Sequence, residues 1–450
     1  MSNIVDRRNA VTQQNADTKA RTVATLTLGC KVNQYETEAM EELFVAQGYS
    51  LTDFEDFADV YVINTCTVTA MSDKKSRQMI RRTRKLNPDA VVAVIGCYSQ
   101  KAPEEVLKIE EVNLVMGTTG KNNIVKEVAR TSSRDKRIVV DDIMKLRDFE
   151  EMSISSAGDH TRAFVKIQDG CDRFCTYCII PYARGPVRSR QMDSIVREVT
   201  SLVGNGYREV VLTGIHVASY GKDLKQGSLI DVIERLCKIE GLERIRTSSV
   251  EPTIITEDFL KRLSSLPQFC PHFHLSLQSG CDSVLKRMNR RYDTGQYREA
   301  VDKIRRYYPK AAITTDVIVG FPGETAEEFE TTRRYLQEIK LFEMHIFPYS
   351  PREGTVAAKM KDAVTKDEKQ RRSKILIELG EEHRREFMDS HIGDEVEVLF
   401  ETFEEGYCYG HTVNYIKVRV ESKRDLSNEI RRIHLESVQE DRMEGRLKED

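Results

Sequence analysis

Three times in the first hundred residues an apolar run ends on a cysteine and gives way to a helical stretch. Run 23–29 leads to Cys30 and a helix expected over 34–47. Run 59–65 leads to Cys66 and a basic helix from about Asp73. Run 90–96 leads to Cys97 and a helix over 103–109. Short apolar runs alternating with helices build a parallel sheet, since parallel strands need a crossover between them. The intervals of 36 and 31 residues between the cysteines each fit one strand–helix unit. Ligands of such sheets bind beyond the carboxyl ends of the strands. Three cysteines at the same point of three units should therefore converge. A lone buried cysteine is usually a small apolar side chain; three in equivalent places read as a three-thiolate site.

A second group is local. In Gly170-Cys171-Asp172-Arg173-Phe174-Cys175-Thr176-Tyr177-Cys178 the cysteines are spaced C-x3-C-x2-C. A 4Fe–4S cube normally takes four cysteines, so a loop with three leaves one iron open for a small ligand. Structural zinc is the alternative, but it wants four closed ligands. The next cysteine is Cys237 and the next histidine His216, too far along the chain to close the same loop.

The chain is expected to be α/β, with two to four domains in its 450 residues, because single cores rarely grow beyond ~250–300 residues. Residues 1–20 form a polar tail, expected to be disordered. Residues 21–137 read as a doubly wound parallel-sheet domain and 138–159 as a charged linker. In 160–386, apolar strands at 163–167, 209–213, 244–248, 272–277, 313–319 and 343–347 alternate with helices. Six strand–helix units make a partial (β/α)6 barrel, whose chemistry sits at the carboxyl ends of its strands; the cysteine loop follows the first strand directly. Residues 387–450 lose the helices and read as a small antiparallel β-barrel of the kind that holds oligonucleotides.

No run approaches the ~18 apolar residues of a membrane span. Ten cysteines without a secretion signal place the chain in a reducing, cytoplasmic compartment. The net charge of −3 does not advertise nucleic-acid binding, so any RNA-facing surface must be local. The first candidate is the stretch from Lys74 to Lys85, with seven basic residues in twelve. Arg184, Arg188 and Arg190 form a second basic group beyond the cysteine loop. The tail from Phe387 carries net −7, yet Tyr407, Tyr409, Tyr415, Lys417 and Arg419 are candidates for base stacking and phosphate contact.

The chain resembles the methylthiotransferase family of radical S-adenosylmethionine enzymes over nearly its full length. The resemblance rests on Leu28-Gly29-Cys30-Lys31-Val32-Asn33-Gln34-Tyr35-Glu36, Asn64-Thr65-Cys66-Thr67-Val68, Gly96-Cys97, the 170–178 loop with Pro181-Tyr182-Ala183-Arg184-Gly185, and His274-Leu275-Ser276-Leu277-Gln278-Ser279-Gly280. It implies an N-terminal cluster domain, a radical barrel and an RNA-binding TRAM domain. It also implies two 4Fe–4S clusters, one on Cys171, Cys175 and Cys178 that cleaves S-adenosylmethionine, and one on Cys30, Cys66 and Cys97 that carries the sulfur.

The implied reaction adds a methylthio group to carbon-2 of a modified adenosine beside the tRNA anticodon. It consumes two S-adenosylmethionines and needs an electron donor such as flavodoxin or ferredoxin and a sulfur source. Gly29-Cys30-Lys31-Val32-Asn33-Gln34 and Leu212-Thr213-Gly214-Ile215-His216 are similar to the branch acting on N6-threonylcarbamoyladenosine. Isopentenyladenosine and a ribosomal-protein aspartate are alternative substrates; a non-catalytic RNA-binding protein with structural metal is the alternative of another class. Strand ends supply candidates for holding the methionine and ribose: Tyr177, Gly214, Ser249, Glu251, Gln278, Asp316 and Gly320. His216 is expected to be a local hydrogen-bonding residue.

Overall fold

The computed structural model describes residues 21–155 and 161–448; the expected tail 1–20 and part of the expected linker lie outside them. Six strands form the first sheet: β1 Thr22–Thr27, β2 Ser50–Thr52, β3 Val60–Thr65, β4 Val91–Gly96, β5 Leu114–Met116 and β6 Arg137–Val139. Their order is β2-β1-β3-β4-β5-β6, and every pair is parallel. The strand order reverses beside β1 and β3, where doubly wound sheets place their ligands. Cys30, Cys66 and Cys97 follow β1, β3 and β4.

Alternation along the strands explains how this sheet is held. Val60 and Val62 of β3, with Val91, Ala93 and Ile95 of β4, join a core that continues into Val165, Ile167 and Leu212 of the next domain. Tyr61, Ile63, Val92 and Val94 face the other way, into a separate core with Ile80. Period-two geometry thus gives each strand one face toward each layer. The helix Lys31–Ala46 starts directly after Cys30, and Ala70–Leu86 starts under a Thr69 cap.

Strands β7 Arg162–Asp169, β9 Glu209–Gly214, β10 Arg244–Thr247, β11 His272–His274, β12 Ala312–Val319 and β13 Glu343–Pro348 make the open six-strand barrel, with β8 Arg188–Ser189 running antiparallel beside β7. Ladders join β7, β9 and β10 on one side and β11, β12 and β13 on the other. Between β10 and β11 the pairing is reduced to isolated bridges such as Val250–Leu275. β11 is shorter than the expected run 272–277; downstream, Gln278 takes a left-handed φ of 72° that interrupts extended backbone.

The helix Lys366–Asp389 leads to a closed barrel of β14 Glu395–Glu404, β15 Tyr407–Thr412, β16 Lys417–Glu421, β17 Ile430–Gln439 and β18 Arg442–Leu447. It is not wholly antiparallel as expected: β16 and β18 run parallel, because closing five strands into a ring forces one like-directed pair. Arg244 and Arg246 of β10 fasten this barrel by donating to the carbonyls of His411, Glu397, Val413 and Thr412 at 2.8–3.0 Å. Among the described residues no helix is long and apolar enough to cross a membrane.

Candidate active site at two cysteine trios

The first trio is assembled from three strand ends. Gly29, at φ +114°, makes the approach feasible, since a Cβ there would lie 2.8 Å from Cys66 Cβ. Cys66 and Cys97 are buried while Cys30 is exposed. Burial pushes the Cys97 thiol up to about 11; Arg184 opposes the rise, and nearby Cys66 and Cys30 add to it. Burial likewise raises Cys66. The three sulfurs therefore sense one another. Arg184 Nε donates to Cys97 Sγ at 3.3 Å.

The second trio sits on its loop as expected. Gly170, at φ +74°, turns the chain where a Cβ would fall 1.9 Å from the Pro186 carbonyl oxygen. Burial pushes Cys171 up to about 11 and Cys178 up to about 12, with Cys175 adding to both. Arg290 donates to Cys175 Sγ at 3.3 Å. Each trio thus carries one arginine on one sulfur.

The donor sets fit iron–sulfur clusters. Thiols that burial pushes up, as at Cys66, Cys97, Cys171 and Cys178, gain when iron takes them as thiolates. A single zinc with sulfurs at 2.3 Å holds them about 3.8 Å apart. Among the described residues the group of three ligating side chains gathered within 4.8 Å is His274, Asp316 and His345, not either trio. Sulfurs spread more widely suit a multi-iron cube.

Cys30 and all three of Cys171, Cys175 and Cys178 open onto one cavity of about 740 Å³. Tyr177, Gly214, Ser249, Glu251 and Asp316 also line it, as does His216. Glu251 is its electrostatic centre: Arg173 lies at 2.6 Å, His216 Nε2 at 3.2 Å and Arg290 at 3.3 Å. Burial alone would raise its carboxyl; the His216 hydrogen bond and the charges of Arg290, His216 and Arg173 hold it at about 2. His216 also pairs through Nδ1 with Ser219 Oγ at 2.6 Å, so it is locally bonded. Asp316 lies 3.2 Å from His274 Nε2.

Gln278 and Gly320 do not reach the cavity lining. Gln278 links strands, its N–H donating to the Asp316 carbonyl and its carbonyl accepting from Ile318. Gly320 lies under Lys369, whose Cγ a Cβ would meet at 2.4 Å, and its N–H donates to Glu324. Tyr415 turns into the cavity instead of outward: it stacks on His272 and His411 at 4.8 and 4.6 Å, with Arg246 and Arg162 over its ring. The face of Tyr407 is covered by Arg419 at 4.5 Å. These two rings are therefore not free stacking platforms.

The expected basic group after the loop faces inward. Arg184, Arg188 and Arg190 are at most 2% exposed, because the helix Ile180–Arg184 and strand β8 fold back beneath the loop. Arg184 bonds Glu36 and Asn33 at 2.6 Å and Asp169 at 3.2 Å. Lys121 and Lys166 also bind Glu36, and Lys166 binds Asp169. Burial would raise Glu36, but Arg184, Lys121 and Lys166 together hold it well below the usual carboxylate range. Arg190 pairs with Glu198, which also accepts from Tyr35. This network joins the first sheet domain to the barrel and ends on Cys97. The pattern left a trace: Lys166 interrupts an otherwise apolar strand between Val165 and Ile167.

The Radical SAM superfamily matches residues 165–336 and the uncharacterized protein family UPF0004 matches 22–117. Threonylcarbamoyladenosine tRNA methylthiotransferase MtaB of Bacillus subtilis (strain 168) is 43% identical, with 92% of this chain and 93% of that protein covered. The chain belongs to the radical S-adenosylmethionine methylthiotransferase family. It is an enzyme of that family, with S-adenosylmethionine and 4Fe–4S clusters as cofactors. A methylthiotransferase relative from Fervidobacterium nodosum, tRNA-2-methylthio-N(6)-dimethylallyladenosine synthase, is 36% identical, covering 86% of this chain and 90% of that protein. The radical S-adenosylmethionine methyltransferase TsrM from Kitasatospora setae has the same fold, with a TM-score of 0.53 at 14% identity, covering 74% of this chain and 77% of TsrM.

Proposed function

We propose that this methylthiotransferase acts on tRNA, adding the group to carbon-2 of N6-threonylcarbamoyladenosine next to the anticodon. The observation that carries the reading is the shared cavity, with Cys30 on one wall and Cys171, Cys175 and Cys178 on another. Its about 740 Å³ is within the range of small-molecule sites. The relatives favour this substrate: the 43% identical one is named for threonylcarbamoyladenosine, the 36% identical one for dimethylallyladenosine.

Cys171, Cys175 and Cys178 would hold one 4Fe–4S cluster and Cys30, Cys66 and Cys97 the other. Bound there, the clusters would supply the electron that cleaves S-adenosylmethionine and the sulfur that is transferred. The protein's share is placement and exclusion of water. Glu251, kept ionised by Arg173, Arg290 and His216, presents a fixed acceptor to the methionine ammonium or ribose hydroxyls. Tyr177 packs beside Cys178, Gly214 lets backbone approach, and Ser249 and Asp316 add polar contacts. Tyr415 closes the side toward the C-terminal barrel. Flavodoxin or ferredoxin would deliver electrons in the cytoplasm, and a separate sulfur source would restore the transferred atom.

Mass spectrometry of tRNA nucleosides from a deletion strain tests the substrate. Loss of the 2-methylthio-threonylcarbamoyl nucleoside is expected. Loss of the isopentenyl analogue in its place refutes the choice. Anaerobic reconstitution with iron and sulfide counts tests the clusters, and zinc without iron would end the enzymatic reading.

A further inference from the structure

The cavity has an uneven charge inventory. Three of its lining side chains are lysine or arginine: Lys31, Arg173 and Arg290. Arg173 and Arg290 both spend their charge on Glu251. Among the described residues Lys31 has no ion pair and no hydrogen bond; its ammonium lies over the Phe164 ring at 5.8 Å. The carboxylates that share the cavity with it, Glu251, Asp316 and Glu343, each lie against another partner, Arg173 at 2.6 Å, His274 at 3.2 Å and Arg384 at 4.0 Å. Glu209 is engaged by Arg246 at 2.7 Å, and Glu401 by Arg162 at 3.0 Å and by His411. Lys31 also opens the helix Lys31–Ala46, whose N-terminus has no side-chain cap. Positive charge and free backbone N–H groups therefore meet on one wall.

We propose that Lys31 is the counter-ion for the carboxylate carried on the N6 substituent of the substrate adenosine, and so selects a carboxylate-bearing base over one with an apolar substituent. The inference rests on the function proposed above. Carbon-2 and carbon-6 of adenine flank N1, so the modified carbon and the N6 substituent share one edge of the base. If carbon-2 faces the Cys30, Cys66 and Cys97 set, the substituent falls beside it. Lys31 is the residue after Cys30, its Cα about 3.8 Å along the chain. An unpaired cation at that place has a partner in a threonyl carboxylate and none in an isopentenyl group. Discrimination by a charge-assisted contact is strong because the analogue lacking the charge leaves the cation unpaired.

The test uses the anaerobically reconstituted full chain and two anticodon stem-loop RNAs. One carries the threonylcarbamoyl carboxylate and the other its carboxamide. Wild type is expected to bind the carboxylate RNA about 10- to 100-fold more tightly and to show a matching ratio in kcat/KM. Lys31→Met should erase that preference while leaving carboxamide binding and iron content unchanged, and Lys31→Arg should restore most of it. Equal wild-type affinity for the two RNAs overturns the proposal, as does a Lys31→Met enzyme that keeps the preference. Equal wild-type affinities overturn the proposal even if a variant loses its iron. If wild type makes product from both RNAs without preference, Lys31 alone is misassigned. If it makes none from the carboxylate RNA, the proposed function fails first and carries the Lys31 assignment with it.

Discussion

The two cysteine trios solve the same problem from opposite ends. Cys171, Cys175 and Cys178 come from eight consecutive residues, so a turn at Gly170 and a left-handed Phe174 are enough to gather them. Cys30, Cys66 and Cys97 come from three strands and meet only when the parallel sheet has formed. Their arginines differ in the same way. Arg290 shares one carboxylate, Glu251, with Arg173 and His216 on the cavity wall. Arg184 is wholly buried and bonds Glu36, Asp169, Asn33 and Cys97 at once. The local trio is held by backbone geometry. The distributed trio is held by a domain interface, and a buried charge network fixes where that interface sits.

The sharpest way to break this comparison is to remove one ligand from each side. Cys175→Ala should abolish both S-adenosylmethionine cleavage and methylthio product, a loss of about a thousandfold or more, since transfer of an electron to the cofactor needs an intact cluster. Cys97→Ala should leave 5′-deoxyadenosine formation measurable while product disappears. Iron and sulfide counts should fall by about half in each variant. Normal product from Cys97→Ala would show that the first trio is not the sulfur site.

Next in size is the effect of the arginines on stability. Arg184→Leu leaves Glu36 and Asp169 without one of their cations in a site that excludes water, and removing one member of such a network costs about 3–5 kcal/mol. Arg290→Leu leaves Glu251 still paired with Arg173, so a cost of about 1–3 kcal/mol is expected. Urea unfolding of the full chain followed at both domains reads the difference. Equal losses would mean that the interface network has no special role.

Acid should separate the two sites further. Glu251 sits at about 2, and Glu36 and Asp169 are held further down, against burial, by Arg184, Lys166 and their neighbours. A carboxylate depressed by folding contributes stability above its unfolded pKa, about 4.3 for Glu and about 3.9 for Asp, and loses it as pH falls through the folded value. Stability should therefore be level near neutrality and decline steadily below about pH 4.5. Glu251→Gln should remove the part lost between about pH 4.5 and about pH 2, leaving the deeper part due to Glu36 and Asp169. A urea midpoint independent of pH below about 4 would contradict the assignment.

The same contrast explains what could be read before the structure. Both trios were legible, one from C-x3-C-x2-C and one from strand ends that recur at the spacing of a crossover unit. The α/β architecture followed from that alternation. Side chains whose meaning depends on distant partners were not legible. Arg184, Arg188 and Arg190 looked like an RNA surface because a charge run is read as solvated; their partners Glu36 and Asp169 lie on other elements. Arg290, on the Cys175 sulfur, carries no periodic signal. Gly320 stands at the end of β12 as expected, but Lys369 covers it; Gln278 lies four residues past the end of β11, where backbone pairing claims it.

The smallest expected effect concerns the surface nearest the distributed trio. The helix Ala70–Leu86 begins four residues after Cys66. Of its seven basic side chains, Arg77, Arg82 and Arg84 pair with Glu105, Glu55 and Glu110. Lys74, Lys75, Arg81 and Lys85 have no ion pair among the described residues. On the C-terminal barrel the balance is reversed, with Lys417 beside Asp441 at 3.8 Å and Arg419 on Glu444 at 2.9 Å. If phosphates dock on the helix, the double variant Lys74→Ala, Lys75→Ala should weaken tRNA binding a few-fold and reduce the slope of log K against log salt by about 1–2. Lys417→Ala should change that slope by well under 1, because its charge is already shared with a carboxylate. The reverse ranking would move the RNA-binding surface away from the sheet domain and onto the barrel, and with it the direction from which the anticodon reaches the cavity.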